Sequence, residues 1–408
     1  MMKQLSLTRM IVPLSDRDFR LLWIGQTVSA LGNSFQVVAV TWLVLQQLKG
    51  SPLDLALAML ALSVPRIPLT IAGGVITDRL DPRTVMFWSD ATRAITSGAL
   101  GLMALTGYVP LWLLCVLLSI HSVATGIFDP AAGSIPPHLL PREQLDGANS
   151  LMALISQLGT LIGALPAGLV VATFGTAAAF GINALSFVIA VLAAWLMAPL
   201  ARALQETKKS LLHDAREGVR YVMSFPWLIA LLLIDTCAAL AATGPISVGL
   251  PLIARDVLHI GAEGYSLLLW SLGLGSVLGF IVSGIYSPTR ARGRFFCLVQ
   301  ILEAPLLIGI AFIPLPLMMF CLAGVGLLNG MLLVLFLTLI QTNVAKEMLG
   351  RVMSFVMLAS VGFAPLSLYG SGAIASAWGT QTLFLAAGAL TLVSAAAGLC
   401  VRWLRELN

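Results

Sequence analysis

Residues 53–107 read LDLALAMLALSVPRIPLTIAGGVITDRLDPRTVMFWSDATRAITSGALGLMALTG. Two apolar runs, 53–77 and 83–107, flank a short turn that carries Asp78, Arg79, Asp81 and Arg83. An α-helix rises about 1.5 Å per residue, so about 20 apolar residues cross about 30 Å of hydrocarbon. Both runs are long enough, and neither shows the polar stripe that a soluble amphipathic helix presents to water. The turn concentrates bases, as short loops retained on the cytoplasmic side do. The stretch therefore reads as two membrane-spanning helices joined by a basic turn.

The same template fits the rest of the chain. Apolar runs at 19–47, 53–77, 83–107, 110–136, 145–172, 176–198, 227–253, 264–286, 294–314, 316–343, 350–377 and 380–402 predict an all-α membrane protein of twelve transmembrane helices. Composition agrees: of 408 residues 59% are hydrophobic and 10% charged, and the mean hydropathy is +0.97. That leaves too little polar surface for a soluble globule of this size.

The 23 Lys and Arg exceed the 18 Asp and Glu, but they form short clusters between apolar runs, which argues against a nucleic-acid partner. Cys115, Cys237, Cys297, Cys321 and Cys400 are scattered through apolar segments with no CxxC pair. They read as packing residues, with no metal site and no cofactor implied. The first twenty residues lack a clean apolar core for a cleavable signal.

Orientation follows from the bases. Arg17, Arg79, Arg83, Arg142, Lys208, Lys209, Arg290, Arg292, Arg294, Lys346, Arg351 and Arg405 fall at the amino terminus, the even-to-odd turns and the carboxyl terminus, whereas the opposite side has only Lys49 and Arg255. Both termini are expected in the cytoplasm of a multi-pass protein of the inner (plasma) membrane.

The longest polar interval divides the chain into residues 1–200, a linker at 201–226 and residues 227–408. In the linker Leu211, Ala215, Val219 and Val222 recur at helical spacing, which predicts an amphipathic helix along the membrane surface. Sliding the chain by half its 408 residues places Glu143, Leu145, Ser150, Leu154 and Ser156 on Glu347, Leu349, Ser354, Leu358 and Ser360. This predicts two pseudo-symmetric six-helix bundles, a duplication seen in transporters that rock about a central site.

The segment from Gly73 and Gly74 through Asp78, Arg79 and Arg83 resembles the loop motif of the major facilitator superfamily, with Asp81 and Pro82 departing from the usual pattern. Phe128-Asp129-Pro130-Ala131, Pro141-Arg142-Glu143 and Ala148-Asn149-Ser150-Leu151, with Leu349-Gly350-Arg351-Val352-Met353-Ser354, look like the bacterial branch of enterobactin exporters and macrolide efflux pumps. The resemblance covers essentially the whole chain. It implies the major facilitator fold, with Gly74, Asp78, Arg79 and Arg83 forming a cytoplasmic gate. Gly159, Gly163, Pro166 and Gly168 resemble the helix-bend motif of antiporters. There small residues allow close helix approach and the proline leaves a carbonyl without its helical donor. His121 and Ser122 stand where the antiporter pattern of the fourth helix has an arginine.

Ionisable groups at membrane depth are costly and so are functional candidates. They are Asp235, His121, Asp129, Glu303 and Arg66, as substrate-binding or proton-coupling residues. The resemblance implies that the first, fourth, seventh and tenth helices line the cavity, which favours Asp235, His121 and Asp129. Asp90 and Arg93, at i and i+3, read as a structural ion pair. Gln26, Asn33, Gln36, Gln157, Asn183 and Asn329 read as amides that bridge helices or touch substrate.

These features predict a secondary active transporter, specifically a proton-coupled exporter of amphiphilic small molecules or drugs, working as a monomer in lipid. A dedicated exporter of a siderophore, metabolite or lipid-like substrate is the alternative within transport, and a non-transporting receptor or scaffold the alternative outside it. No GxxxxGK[ST] loop for direct ATP use and no convergent catalytic cluster is seen, so an enzyme is not expected.

Overall fold

The computed structural model describes residues 11–70, 80–199, 219–286, 291–405 and 407. Among them every long regular element is a helix. The first, α1, is Arg17–Trp42, continued by a π-helical turn Leu43–Gln47, and Asp16 caps it by accepting a hydrogen bond from the Phe19 amide at 2.8 Å. Helix α2 is Pro52–Ser63, resuming at 66–70, and α3 is Pro82–Thr106, started by the Asp81 cap and Pro82 and stopped by Gly107 at φ 71°. Helix α4 is Leu111–Ser134.

A run at Leu145–Leu196 is interrupted at Gly175 (φ 82°, ψ 174°), which separates α5 (145–174) from α6 (176–196). Helix α7 is Pro226–Gly244, carried on by further turns to Val257, and α8 is Ala262–Ile285. Helix α9 is Arg292–Ile310 and α10 is Leu315–Asn343. Lys346–Gly362 leads into Ala364–Cys400, which breaks at Gly379 (φ 85°, ψ 163°), giving α11 (346–378) and α12 (380–400). Among the described residues, nine helices are long and apolar enough to cross a membrane, and the helical segments agree with the expected twelve.

Local devices repeat along the chain. Gly175 and Gly379 are separated by half its length and adopt the same left-handed conformation, which a residue bearing a Cβ disfavours. Helix α1 ends in a π turn, followed by Lys49 at φ 49° and a bond from the Gly50 amide to the Val44 carbonyl at 2.8 Å. Helix α7 ends likewise, with His259 at φ 52° and a bond from the Ile260 amide to the Ala254 carbonyl at 2.9 Å. Two sequence segments with little identity thus solve the same helix-end problem in the same way.

Exposed aromatics mark the hydrocarbon limits. Trp88 stands near the start of α3 and Tyr108 just beyond its end, about 30 Å apart at helical rise, and both are exposed. That spacing matches the hydrocarbon thickness, with amphipathic rings at each interface. Trp112 joins the Tyr108 level, Trp195 stands at the end of α6, and Trp403 lies in the short Arg402–Arg405 helix that follows α12.

The chain divides into two compact units. One comprises Met1–Gly50, Leu57–Gln205 and Gly261–Ser266; the other comprises Ser51–Ala56, Glu206–Ile260 and Leu267–Asn408. In the first, Phe19, Leu22, Met86, Phe128, Ile135 and Leu151 form a buried apolar core. In the second, Leu228, Leu231, Phe296, Phe336, Leu339 and Val352 do so.

Lipid tails compete equally for apolar side chains, so helix contact depends on close backbone approach. In the second unit this is achieved by facing glycine pairs. Cβ atoms added at Gly275 and Gly279 of α8 would collide with the Ala323 and Leu327 carbonyls, and ones added at Gly326 and Gly330 of α10 with those of Leu272 and Ser276. Gly330→Val is expected to force α8 and α10 apart at a cost of about 1–3 kcal/mol, read as a lower unfolding temperature of the purified protein. Gly309→Ala on α9, where nothing lies within 4 Å, is expected to be neutral or slightly stabilising.

Candidate functional site

In the first unit the charged residues of α3 and α4 converge. Asp90 and Arg93 form the expected ion pair through Oδ1 and an Arg93 terminal nitrogen, with side chains 0% and 3% exposed. The helical i,i+3 spacing aligns the two groups, and the guanidinium is further held over the rings of Phe128 at 3.9 Å and Phe187 at 4.6 Å. Asp90 Oδ2 and Arg93 Nε are buried without hydrogen-bond partners. Asp90 also lines a small pocket with Leu21, Gln26, Met86 and Phe128.

His121 is buried beside this pair. Its Nδ1 lies 3.2 Å from the Thr96 hydroxyl, and its ring meets Phe187 edge-on at 5.5 Å. It is thus turned toward α3 and α6 of its own unit. Asp129, the residue after Phe128, is exposed, and the positive charges of Arg93 and Arg66 both act on its carboxylate. Arg66 is exposed as well. Its amide donates to Ser122 Oγ at 3.1 Å, where Gly126 lets α4 close on the α2 backbone. Asp90, Arg93, His121, Asp129 and Arg66 therefore make one electrostatic group, which sequence spacing across three helices does not reveal.

A second polar cluster joins α1, α3 and α6. Asn183 Nδ2 donates to Gln36 Oε1 and, at 3.1 Å, to Ser97 Oγ; Ser97 donates to Gln36 Oε1 at 2.9 Å. All three are buried. Gln36 and Asn183 are helix-bridging amides, as expected, whereas Ser97 has no distinguishing sequence pattern. Gln26 is half-buried and Asn33 exposed.

Of the loop motif, Gly74, Asp78 and Arg79 lie outside the described residues, as do residues 201–218 of the linker helix. Arg83 is described. Its Nε donates to the Ala194 carbonyl at 2.8 Å and a terminal nitrogen to Trp195 at 2.5 Å, while Arg17 reaches the Leu196 carbonyl at 3.3 Å. Two guanidiniums so cap the carboxyl end of α6, where four carbonyls lack helical donors and a partial negative charge collects.

The helix-bend residues line the α1–α5 contact. A Cβ on Gly159 would meet Ala30 and one on Gly163 would meet Ser34, and the Ser34 hydroxyl donates to the Gly159 carbonyl at 3.2 Å. Gly168 packs against Ala262 and Ser266 within the same unit. The helix runs on through Pro166, and the non-helical backbone comes later, at Gly175.

In the second unit Asp235 lies on α7, about 13 Å along the helix from Pro226, and is half-buried. Among the described residues no charged group acts on it. Glu303 on α9 is 2% exposed. Its partner is Asn329 of α10, whose Nδ2 donates to Oε1 at 2.8 Å.

The helical architecture, the membrane-spanning lengths and the buried ionisable groups all describe a transporter. The chain matches the family described as Transmembrane secretion effector, of the major facilitator type, over residues 8–407. It belongs to that family.

Among its relatives, the multidrug efflux pump Tap of Mycolicibacterium fortuitum is 28% identical, with 95% of this chain and 96% of Tap covered. Macrolide efflux protein A of Streptococcus pyogenes is 25% identical, with 96% and 97% covered. The crystal structure of the nucleoside transporter NupG superposes with a TM-score of 0.75 at 15% identity, covering 94% of this chain and 98% of NupG. That likeness shows the shared fold alone. This member of the secretion effector family is therefore a multi-pass membrane transporter of major facilitator architecture.

Proposed function

We propose that the chain is a proton-coupled exporter of amphiphilic small molecules, drugs among them, acting by alternating access of bundles at 1–200 and 227–408. The observation that carries this reading is the end-to-end similarity to two efflux proteins. Asp235 supports it: a half-buried carboxylate on a membrane helix, on which no charged group among the described residues acts, suits a cationic amphiphile or a proton. Asp129 and Arg66 are the corresponding exposed charges of the first unit. Gly74, Asp78, Arg79 and Arg83 form the cytoplasmic gate, with Arg83 anchoring it to α6. The protein sits as a monomer in the inner-membrane lipid with both termini in the cytoplasm, the side on which the bases cluster.

The test is uptake of a panel of cationic and neutral amphiphiles into inverted membrane vesicles. Acid inside is expected to drive accumulation of the cationic members and to alkalinise the vesicle interior. Uptake of neutral metabolites alone, indifferent to the gradient, would overturn proton-coupled drug export in favour of a dedicated metabolite exporter.

A further inference from the structure

Glu303 has an environment unlike that of any other carboxyl group described here. It is 2% exposed on a membrane helix, and its hydrogen-bond partner is the Asn329 amide at 2.8 Å. That amide also donates to the Val325 carbonyl of its own helix at 3.2 Å, so its two hydrogens are committed.

Among the described residues, no counter-charge on a neighbouring element acts on Glu303. Helix α9 itself carries Arg292 and Arg294 at its far end, together with Cys297, and α10 carries Cys321 as its titratable side chain. Helix α12, whose Gly388 meets Ala304 and Ile308, carries Cys400. Helix α7, whose Ile234 lies by Gly398 beside Cys297, carries Asp235 and Cys237. The short Arg402–Arg405 helix meets α9 at Gly293, near the basic end. None of these groups acts electrostatically on Glu303.

One turn before Glu303 is Gln300, 1% exposed, whose Oε1 is buried with no hydrogen-bond donor. Residues three apart share a helix face. An ionised Glu303 would leave two defects on that face: an uncompensated charge and an unsatisfied amide oxygen, each costly away from water. A single proton removes both. The carboxylic acid would be neutral, with an O–H to donate toward Gln300 Oε1 on the same helix face, while its carbonyl oxygen accepts from Asn329.

We infer that Glu303, with Gln300 and Asn329, is a proton-binding site at the α9–α10 contact, separate from Asp235. The binding claim stands on this geometry. Its use in transport deepens the proton-coupled reading above and rests on it. Loss of the proton would set a bare carboxylate against an amide oxygen on one helix face.

The test is infrared spectroscopy of the purified protein in lipid vesicles at neutral pH, comparing the native chain with Glu303→Gln, which keeps shape and neutrality and so should fold. The difference spectrum is expected to show the carbonyl stretch of an un-ionised carboxylic acid, lost completely in Glu303→Gln, shifted in Gln300→Leu and retained in Asp235→Asn. A difference spectrum showing the paired stretches of an ionised carboxylate would overturn the proposal. Gradient-driven uptake, measured on the same preparations, separates the two readings. Absence of any pH-driven uptake by the native protein defeats proton coupling while leaving the infrared result to decide the site.

Discussion

Arg93→Met is expected to lower the stability of the first unit by about 3–5 kcal/mol, the cost of leaving a buried carboxylate without its partner. Asp90 is 0% exposed and one of its oxygens already lacks a donor, so no solvent is at hand to replace the lost guanidinium. The same change removes the cation from the faces of Phe128 and Phe187, contacts worth about 0.5–2 kcal/mol each. Asp90→Leu with Arg93→Met is expected to recover most of the loss, because an apolar pair of similar volume has no charge to desolvate. The measurement is the unfolding temperature of both single variants and the double variant in one detergent. A double variant as unstable as the sum of the singles would contradict a pairing role. A stable Arg93→Met that fails to transport would move Arg93 from the framework to the mechanism.

The helical architecture was readable because one physical constraint acts on each residue run by itself. Hydrocarbon thickness sets the length of a span and needs no knowledge of the neighbours. The expected boundary between 172 and 176 fell at Gly175, and the one between 377 and 380 fell at Gly379, where the backbone turns with positive φ. Contacts between helices were less readable. The glycine pairs of α8 and α10 stand among many glycines, and nothing in the sequence pairs Gly275 with Ala323 or Gly326 with Leu272.

The candidate residues show the same division. Asp90 with Arg93 was legible because helical geometry brings i and i+3 together, and the amides Gln36 and Asn183 because polar groups in lipid seek partners. His121 facing Thr96, Arg83 reaching Ala194 and Glu303 meeting Asn329 depend on which helix lies alongside. The orphaned oxygen of Gln300 could be found only from the packed structure, since a glutamine in an apolar run looks the same satisfied or not.

Asp235→Asn is expected to reduce uptake of cationic substrates about ten- to a hundredfold while leaving the fold intact. The side chain is half-buried and no charged group among the described residues acts on it, so the amide breaks no described ion pair and the unfolding temperature should stay close to native. What disappears is the negative charge. A charge-assisted hydrogen bond to a substrate ammonium is worth about 1.5–3 kcal/mol, and each 1.4 kcal/mol is about tenfold in affinity. Neutral amphiphiles of the same shape are expected to lose far less, which makes the ratio of the two uptakes the decisive quantity. Equal loss for cationic and neutral substrates, together with loss of proton release into the medium, would assign Asp235 to the proton instead of the substrate. Unchanged uptake of both would remove it from the transport path and leave the charges of the first unit, Asp129 with Arg66, as the place where substrate meets the protein.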